Sequence, residues 1–147
     1  MTGETSARPQ PEVGVLICDD YASMRALLRI IIEDRPGLAV VGEAADGHEA
    51  IVEAKRLQPD VILLDLAMPY KTGLAALEQL AVVAPAAKVV VFSGFSIASV
   101  SQDVIGLGAV LYLQKGASPE AITDAIEEAA LTTPVRAQAG GGRLDNT

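Results

Sequence analysis

The chain has 147 residues, half of them apolar, and a formal charge of −8 from 11 basic and 19 acidic side chains. That length supports one domain with a real core but not two ordinary ones, and the acidic balance argues against the basic face that nucleic-acid binding needs. A single cysteine, Cys18, excludes an internal disulfide, and with one histidine it also excludes an ordinary zinc site.

Residues 1–12, "MTGETSARPQPE", are polar with two prolines and lack the apolar centre of a signal peptide, so they read as a disordered arm. The first strand is "VGVLIC" (13–18). A helix follows in which Met24, Leu27, Leu28 and Ile31 share a face, with Arg25, Arg29 and Glu33 turned outward, and it stops at Arg35-Pro36-Gly37. Next come a strand "LAVVGE" (38–43) and a helix over 47–57, opened by Asp46 as N-cap and closed before Pro59. The strand "VILLD" (61–65) leads to a third helix from Gly73, carrying Leu74, Leu77 and Ala81 and fading towards Pro85. The strand "KVVVF" (88–92), a fourth helix over 96–106 and the strand "AVLYL" (109–113) precede a fifth helix opened by Ser118-Pro119-Glu120.

All five runs are near-continuously apolar rather than alternating, as expected of parallel strands covered on both faces. Five strands and five helices in alternation predict a doubly wound α/β sheet. The folded domain is expected at 13–130, with a flexible Gly-rich tail at 131–147. No apolar run approaches the roughly 18–20 residues needed to span a bilayer, so a soluble, cytoplasmic protein is expected.

In such a sheet, ligands bind beyond the carboxyl ends of the strands. The first strand ends in Cys18-Asp19-Asp20, the third in Asp65, the fourth in Phe92-Ser93-Gly94 and the fifth in Tyr112-Leu113-Gln114-Lys115. Three carboxylates, a hydroxyl and an ammonium therefore converge on one edge. Two carboxylates ~4 Å apart repel by roughly 4 kcal/mol at an effective dielectric of 20. Three together need a cation, or one must take up a proton. Oxygen ligands alone favour Mg²⁺, and aspartate can act as a nucleophile towards phosphorus.

"LICDD", "ILLDLAMP", "VFSGF" and "YLQKG" resemble the motifs of response-regulator receiver domains of two-component signalling. "VVGEAADGHEAI" and "GASPEAI" further resemble the receivers of the NarL/LuxR-type subgroup, here without an output domain. The resemblance implies a flavodoxin-like sheet of order 2-1-3-4-5 with five helices. It implies Asp65 as phosphoacceptor, and Mg²⁺ held by Asp19, Asp20, Asp65 and the backbone carbonyl of Ala67. Ser93 becomes the switch hydroxyl, Lys115 the phosphate partner, and Tyr112 the aromatic whose position follows Ser93. The implied partners are a sensor histidine kinase and a downstream protein, with a homodimer as a further option and no direct DNA binding or membrane contact. Ala67 and Phe95 carry no polar group to position a hydrolytic water, so slow self-dephosphorylation is expected.

Plainer readings stand beside these. Asp19 and Asp20 could cap the first helix, Tyr112 could be a core residue, and Asp65 a structural acid. Cys18 reads as a small buried hydrophobe and His48 as a solvated surface residue. "GLGAVL" (106–111) precedes a strand instead of following one and fails as a dinucleotide fingerprint. An aspartate-nucleophile phosphatase of the haloacid dehalogenase type needs a second Asp where Ala67 stands. A receiver-like interaction module that never meets phosphate is the remaining alternative. The chain is either a stand-alone receiver or a fragment of a longer protein. The 17 residues after 130 do not resemble the opening of an output domain, so the stand-alone reading is favoured and output is expected through protein contact. The weakly charged helix 96–106 and the acids Glu120, Asp124, Glu127 and Glu128 are the candidate surfaces.

Overall fold

A computed structural model describes residues 12–68, 73–94 and 108–132. Five parallel strands form one sheet: β1 (Val13–Cys18), β2 (Leu38–Ala44), β3 (Val61–Leu64), β4 (Lys88–Ser93) and β5 (Ala109–Gln114). Their order is β2-β1-β3-β4-β5, the expected flavodoxin-like arrangement. Among the described residues four helices accompany them: α1 (Ala22–Glu33), α2 (Gly47–Leu57), α3 (Gly73–Val83) and α4 (Pro119–Ala130). The helix expected over 96–106 lies outside the described residues, as do Phe95 and nearly all of both expected tails.

The uninterrupted apolar strands have a simple cause. On one face Leu16, Ile62, Leu64 and Val91 pack against Ala50 and Ala54 of α2 and Leu77 and Leu80 of α3. On the other, Val15, Ile17, Leu63 and Val90 meet Leu28 and Ile32 of α1 and Ile122 and Ile126 of α4. Alternate residues serve opposite faces and both faces are covered. Each large side chain so buried stabilises the fold by about 1.5–3 kcal/mol.

Helix ends follow the local chemistry. Asp46 Oδ1 accepts from the Glu49 amide at 2.8 Å, and Glu49 Oε1 accepts in return from the Ala45 amide at 2.7 Å. Gln58, at φ 47°, closes α2 in the left-handed region just before Pro59. Ser118 Oγ accepts from the Ala121 amide at 3.1 Å, with Pro119 as first helical residue.

Two expectations for α1 need correction. Leu27 is 50% exposed, and the buried positions are Leu28 and Ile32. Those two lie four apart on one stripe, which leaves Leu27 about 100° round the helix from it. Arg25, expected outward, keeps only 18% of its side chain exposed because it turns back onto Glu43. Asp65 also lies one residue beyond β3, in the loop that β3 feeds.

Two register shifts decide what faces what. Val15 pairs with Val40 but Leu16 pairs with Gly42, so Val41 is an extra residue in β2. Beyond this bulge Ala44 joins the α2 and α3 side, and Glu43 points to α1. Val89 pairs with Ala109 but Val90 pairs with Leu111, so Val110 is a second extra residue, in β5. Beyond it Tyr112 shares a face with Val91, and Leu113 with Phe92. Lys115 thereby continues the face on which Asp65 follows Leu63 and Asp19 follows Ile17.

Candidate functional site

The parallel register sets Asp65 beside Asp19: Leu64 pairs with Cys18, and the Asp65 amide donates to the Cys18 carbonyl at 2.9 Å. The Asp19 amide in turn donates to the Ala44 carbonyl at 3.0 Å, and the Lys115 amide to the Ser93 carbonyl at 2.7 Å. Backbone bonds between neighbouring strand ends therefore hold each side chain's root.

Asp19 and Asp65 are 1% and 4% exposed, with Asp20 half-buried beside them. One carboxylate oxygen from each of the three lies within 4.8 Å of the others. Lys115 Nζ stands 2.8 Å from Asp19 Oδ2 and donates to Asp65 Oδ2 at 3.4 Å. Asp19 Oδ2 is thus paired with the ammonium, whereas Asp20 Oδ1 is a buried oxygen without a hydrogen-bond partner among the described residues. One ammonium against three carboxylates leaves an excess of negative charge. A cleft of about 330 Å³ opens above, lined by Asp20, Tyr21, Asp65, Ala67, Ser93, Gly94 and Lys115.

Burial pushes the Asp65 carboxyl up, and the Asp19 charge adds to this. The Ala67 amide, donating to Asp65 Oδ1 at 3.1 Å, and the Lys115 ammonium oppose it without cancelling it. Burial works against the Lys115 charge, but Asp19 and Asp65 outweigh it and raise the ammonium's affinity for its proton. Burial likewise holds the Cys18 thiol far above its usual range, as befits a small core residue.

The structure thus brings together Asp19, Asp20, Asp65, Ala67, Ser93 and Lys115. Tyr112 is not among the residues lining the cleft; it is partly buried against the α2 and α3 cluster, on the face that also carries Ser93. Asp19 and Asp20 do not cap α1, because the N-cap is Tyr21 and no side chain bonds there. Asp19 Oδ1 instead accepts from the Tyr21 amide at 2.9 Å. His48 is exposed. The acidic side expected on α4 is partly satisfied within the chain, since Arg35 pairs with Asp124 at 3.1 Å and Glu127 at 2.8 Å.

Sequence reasoning missed Arg25 and Glu43. Arg25 Nη1 donates to the Asp19 carbonyl at 2.7 Å while its Nε donates to Glu43 Oε1 at 2.9 Å. Two arginines flank Glu43, Arg25 and Arg29, and despite burial they hold its carboxyl below the usual range. A regular β2 would have turned Glu43 to the other face, so its pairing hangs on the bulge at Val41.

A doubly wound sheet with an acid cluster and a lysine at its carboxyl edge defines a class of binding domain, and the comparisons name the family. The sequence pattern of the response regulator receiver domain matches residues 15–127. The chain is 34% identical over 114 residues to the chemotaxis protein CheY of Thermotoga maritima, covering 78% of this chain and 94% of that protein. It is 37% identical over 119 residues to the uncharacterized transcriptional regulatory protein YxjL of Bacillus subtilis, covering 81% of this chain and 55% of that one. The response regulator domain of Thermotoga maritima CheB superposes with a TM-score of 0.78 at 32% identity, over 84% of this chain and 99% of that one. A LuxR-family response regulator from Aurantimonas sp. gives 0.79 at 27%, over 90% and 99%.

The chain belongs to the response-regulator receiver domain family of two-component signalling. It spans about half the length of the transcriptional regulators it matches, 55% of YxjL and 60% of NarL from Escherichia coli, and nearly all of CheY. Among the described residues no helix is long and apolar enough to cross a membrane.

Proposed function

We propose that this receiver takes a phosphoryl group from a sensor histidine kinase onto Asp65 and passes the change on through protein contacts. One observation carries the reading: Lys115 Nζ lies within 3.4 Å of Asp65 and 2.8 Å of Asp19 at the mouth of an acidic cleft. An ammonium so placed can hold phosphoryl oxygens beside a carboxylate nucleophile.

Asp65 Oδ attacks phosphorus in line; the bond from phosphorus to the donor's imidazole nitrogen breaks, and its electron pair leaves with the imidazole. Lys115 and Ser93 hold the transferred oxygens. The donor set fits Mg²⁺: oxygen only, three carboxylates, and a buried Asp20 oxygen lacking a hydrogen-bond partner among the described residues. Asp19, Asp20, Asp65 and the Ala67 carbonyl would hold the ion. Bound there, Mg²⁺ neutralises charge on the phosphoryl group in transfer. The domain doing this is residues 13–130, with 1–12 and 131–147 outside it. It acts as a switch and not as an enzyme with a released product, in the cytoplasm, where the kinase's catalytic part works. Tyr112, on the Ser93 face, follows the switch, and the segment 96–106, expected from the sequence as a weakly charged helix, is the surface a downstream protein or second copy would read.

Intact mass spectrometry after incubation with Mg²⁺ and acetyl phosphate tests the reading. One added phosphoryl group is expected on the native chain and none on Asp65→Asn. An unmodified native chain would favour a phosphate-independent interaction module instead.

A further inference from the structure

Arg25 turns back from the first turn of α1 onto the acid loop. Its Nη1 donates to the Asp19 carbonyl at 2.7 Å, and its Nε donates to Glu43 Oε1 at 2.9 Å. Arg29 Nε holds the other oxygen of Glu43 at 2.9 Å. One carboxylate on β2 thus grips two guanidinium groups on α1, and one of those reaches the backbone of the loop. A guanidinium is a rigid planar fork, so fixing Nε on Glu43 also fixes the direction in which Nη1 points.

The loop needs such a restraint. No side chain caps α1. The Asp19 amide is held by the Ala44 carbonyl and its carboxylate by the Tyr21 amide and the Lys115 ammonium, while Arg25 holds the Asp19 carbonyl. Asp20 Oδ1 is buried without a hydrogen-bond partner and belongs to the cleft. The spacing of the two carboxylates therefore depends on the backbone between them.

We propose that Arg25, clamped by Glu43, is a positioning residue that holds the Asp19 carbonyl and so keeps the carboxylates of Asp19 and Asp20 at the spacing a divalent cation requires. This rests on the reading of the cleft as the Mg²⁺ site of a phosphoacceptor. Charge and position make opposite predictions. Arg25 is a cation near a cation site, so by charge alone its removal strengthens Mg²⁺ binding. By position its removal weakens it, and outer partners of metal ligands are typically worth tenfold or more in affinity.

The experiment titrates Mg²⁺ into the full chain by calorimetry, as native protein and as Arg25→Ala, Arg29→Ala and Glu43→Gln. Amide hydrogen exchange is followed at Asp20 and Tyr21 in EDTA. Arg25→Ala is expected to bind Mg²⁺ on the order of tenfold more weakly. Its labelling by acetyl phosphate returns to the native rate at saturating Mg²⁺, and the Asp20 and Tyr21 amides exchange faster. Arg29→Ala loses the same charge and the same Glu43 contact but leaves the bond to the loop, so its affinity stays within about twofold of native. Glu43→Gln loosens the clamp and falls between the two. Equal or tighter binding by Arg25→Ala, or equal weakening by Arg29→Ala, overturns the proposal. If Arg25→Ala does not fold, unchanged affinity and unchanged amide exchange in Glu43→Gln overturn it. A native chain that binds no Mg²⁺ would sink the reading of the cleft together with this inference.

Discussion

Lys115 stands closer to Asp19 than to Asp65, 2.8 Å against 3.4 Å. The ammonium is thus shared between the acid expected to hold metal and the acid expected to receive phosphate, with the firmer contact to the former. Without a cation it is the main counter-charge of three crowded carboxylates. Lys115→Met is expected to lose on the order of 1–3 kcal/mol of stability in EDTA at pH 7, because it strands buried charge. The raised affinity of Lys115 for its proton makes this contribution fully present below the ordinary lysine pKa of 10.5, and it is lost only as pH rises through the higher folded value. Denaturant melts with and without Mg²⁺ check this, and Mg²⁺ should recover much of the loss.

Asp65 responds to pH in the direction set by burial. Its carboxyl titrates above the usual 3.8, so the folded state favours the protonated form. The contribution to stability is complete below 3.8 and is lost as pH rises through the raised value. Asp65→Asn cannot ionise and should melt a few degrees above native protein at pH 7 in EDTA, the gap closing towards pH 3.8. In native protein the rate of labelling by acetyl phosphate should fall as pH drops through the same range, since the carboxylate is the nucleophile.

Asp20 carries a buried oxygen without a donor. Asp20→Asn removes one of three like charges and is expected to gain about 1 kcal/mol in EDTA. The same change removes a ligand, so Mg²⁺ affinity should drop on the order of tenfold or more. A thermal melt showing destabilisation in EDTA would contradict a shared acid pocket.

Ala67 is exposed at the edge of the cleft and offers no polar side chain there. The phosphorylated chain should therefore lose its group over minutes or longer once acetyl phosphate is removed. Ala67→Asn, placing an amide where water could be held, should shorten that lifetime several-fold. Time-resolved intact mass spectrometry distinguishes the two.

The parts of the molecule legible in the sequence are those written in short-range pattern. Apolar runs marked all five strands to within a residue at each end, because burial on both faces leaves no alternation to misread. Asp46 and Ser118 announced two helices because a cap acts on amides three residues away. The acids and Lys115 were legible because parallel strands deliver their carboxyl ends to one edge. Arg25 and Glu43 were not, because their meeting depends on a register shift that leaves no local mark in "LAVVGEA". Leu27 and Leu28 are chemically alike, and only packing tells which one is buried.

The extra residue at Val110 makes the site a matter of counting as well as chemistry. Replacing Val110 with Ile or Thr keeps the count, so Tyr112 and Lys115 stay on their own faces. Deleting it would only remove the bulge and leave both faces as they are, whereas deleting Leu113 beyond it would send the lysine towards the Ser93 side, with every functional residue still in the chain. In the evolution of such a chain, substitutions in β5 and even the loss of Val110 are therefore cheap experiments, whereas a single codon lost beyond the bulge rewires the edge.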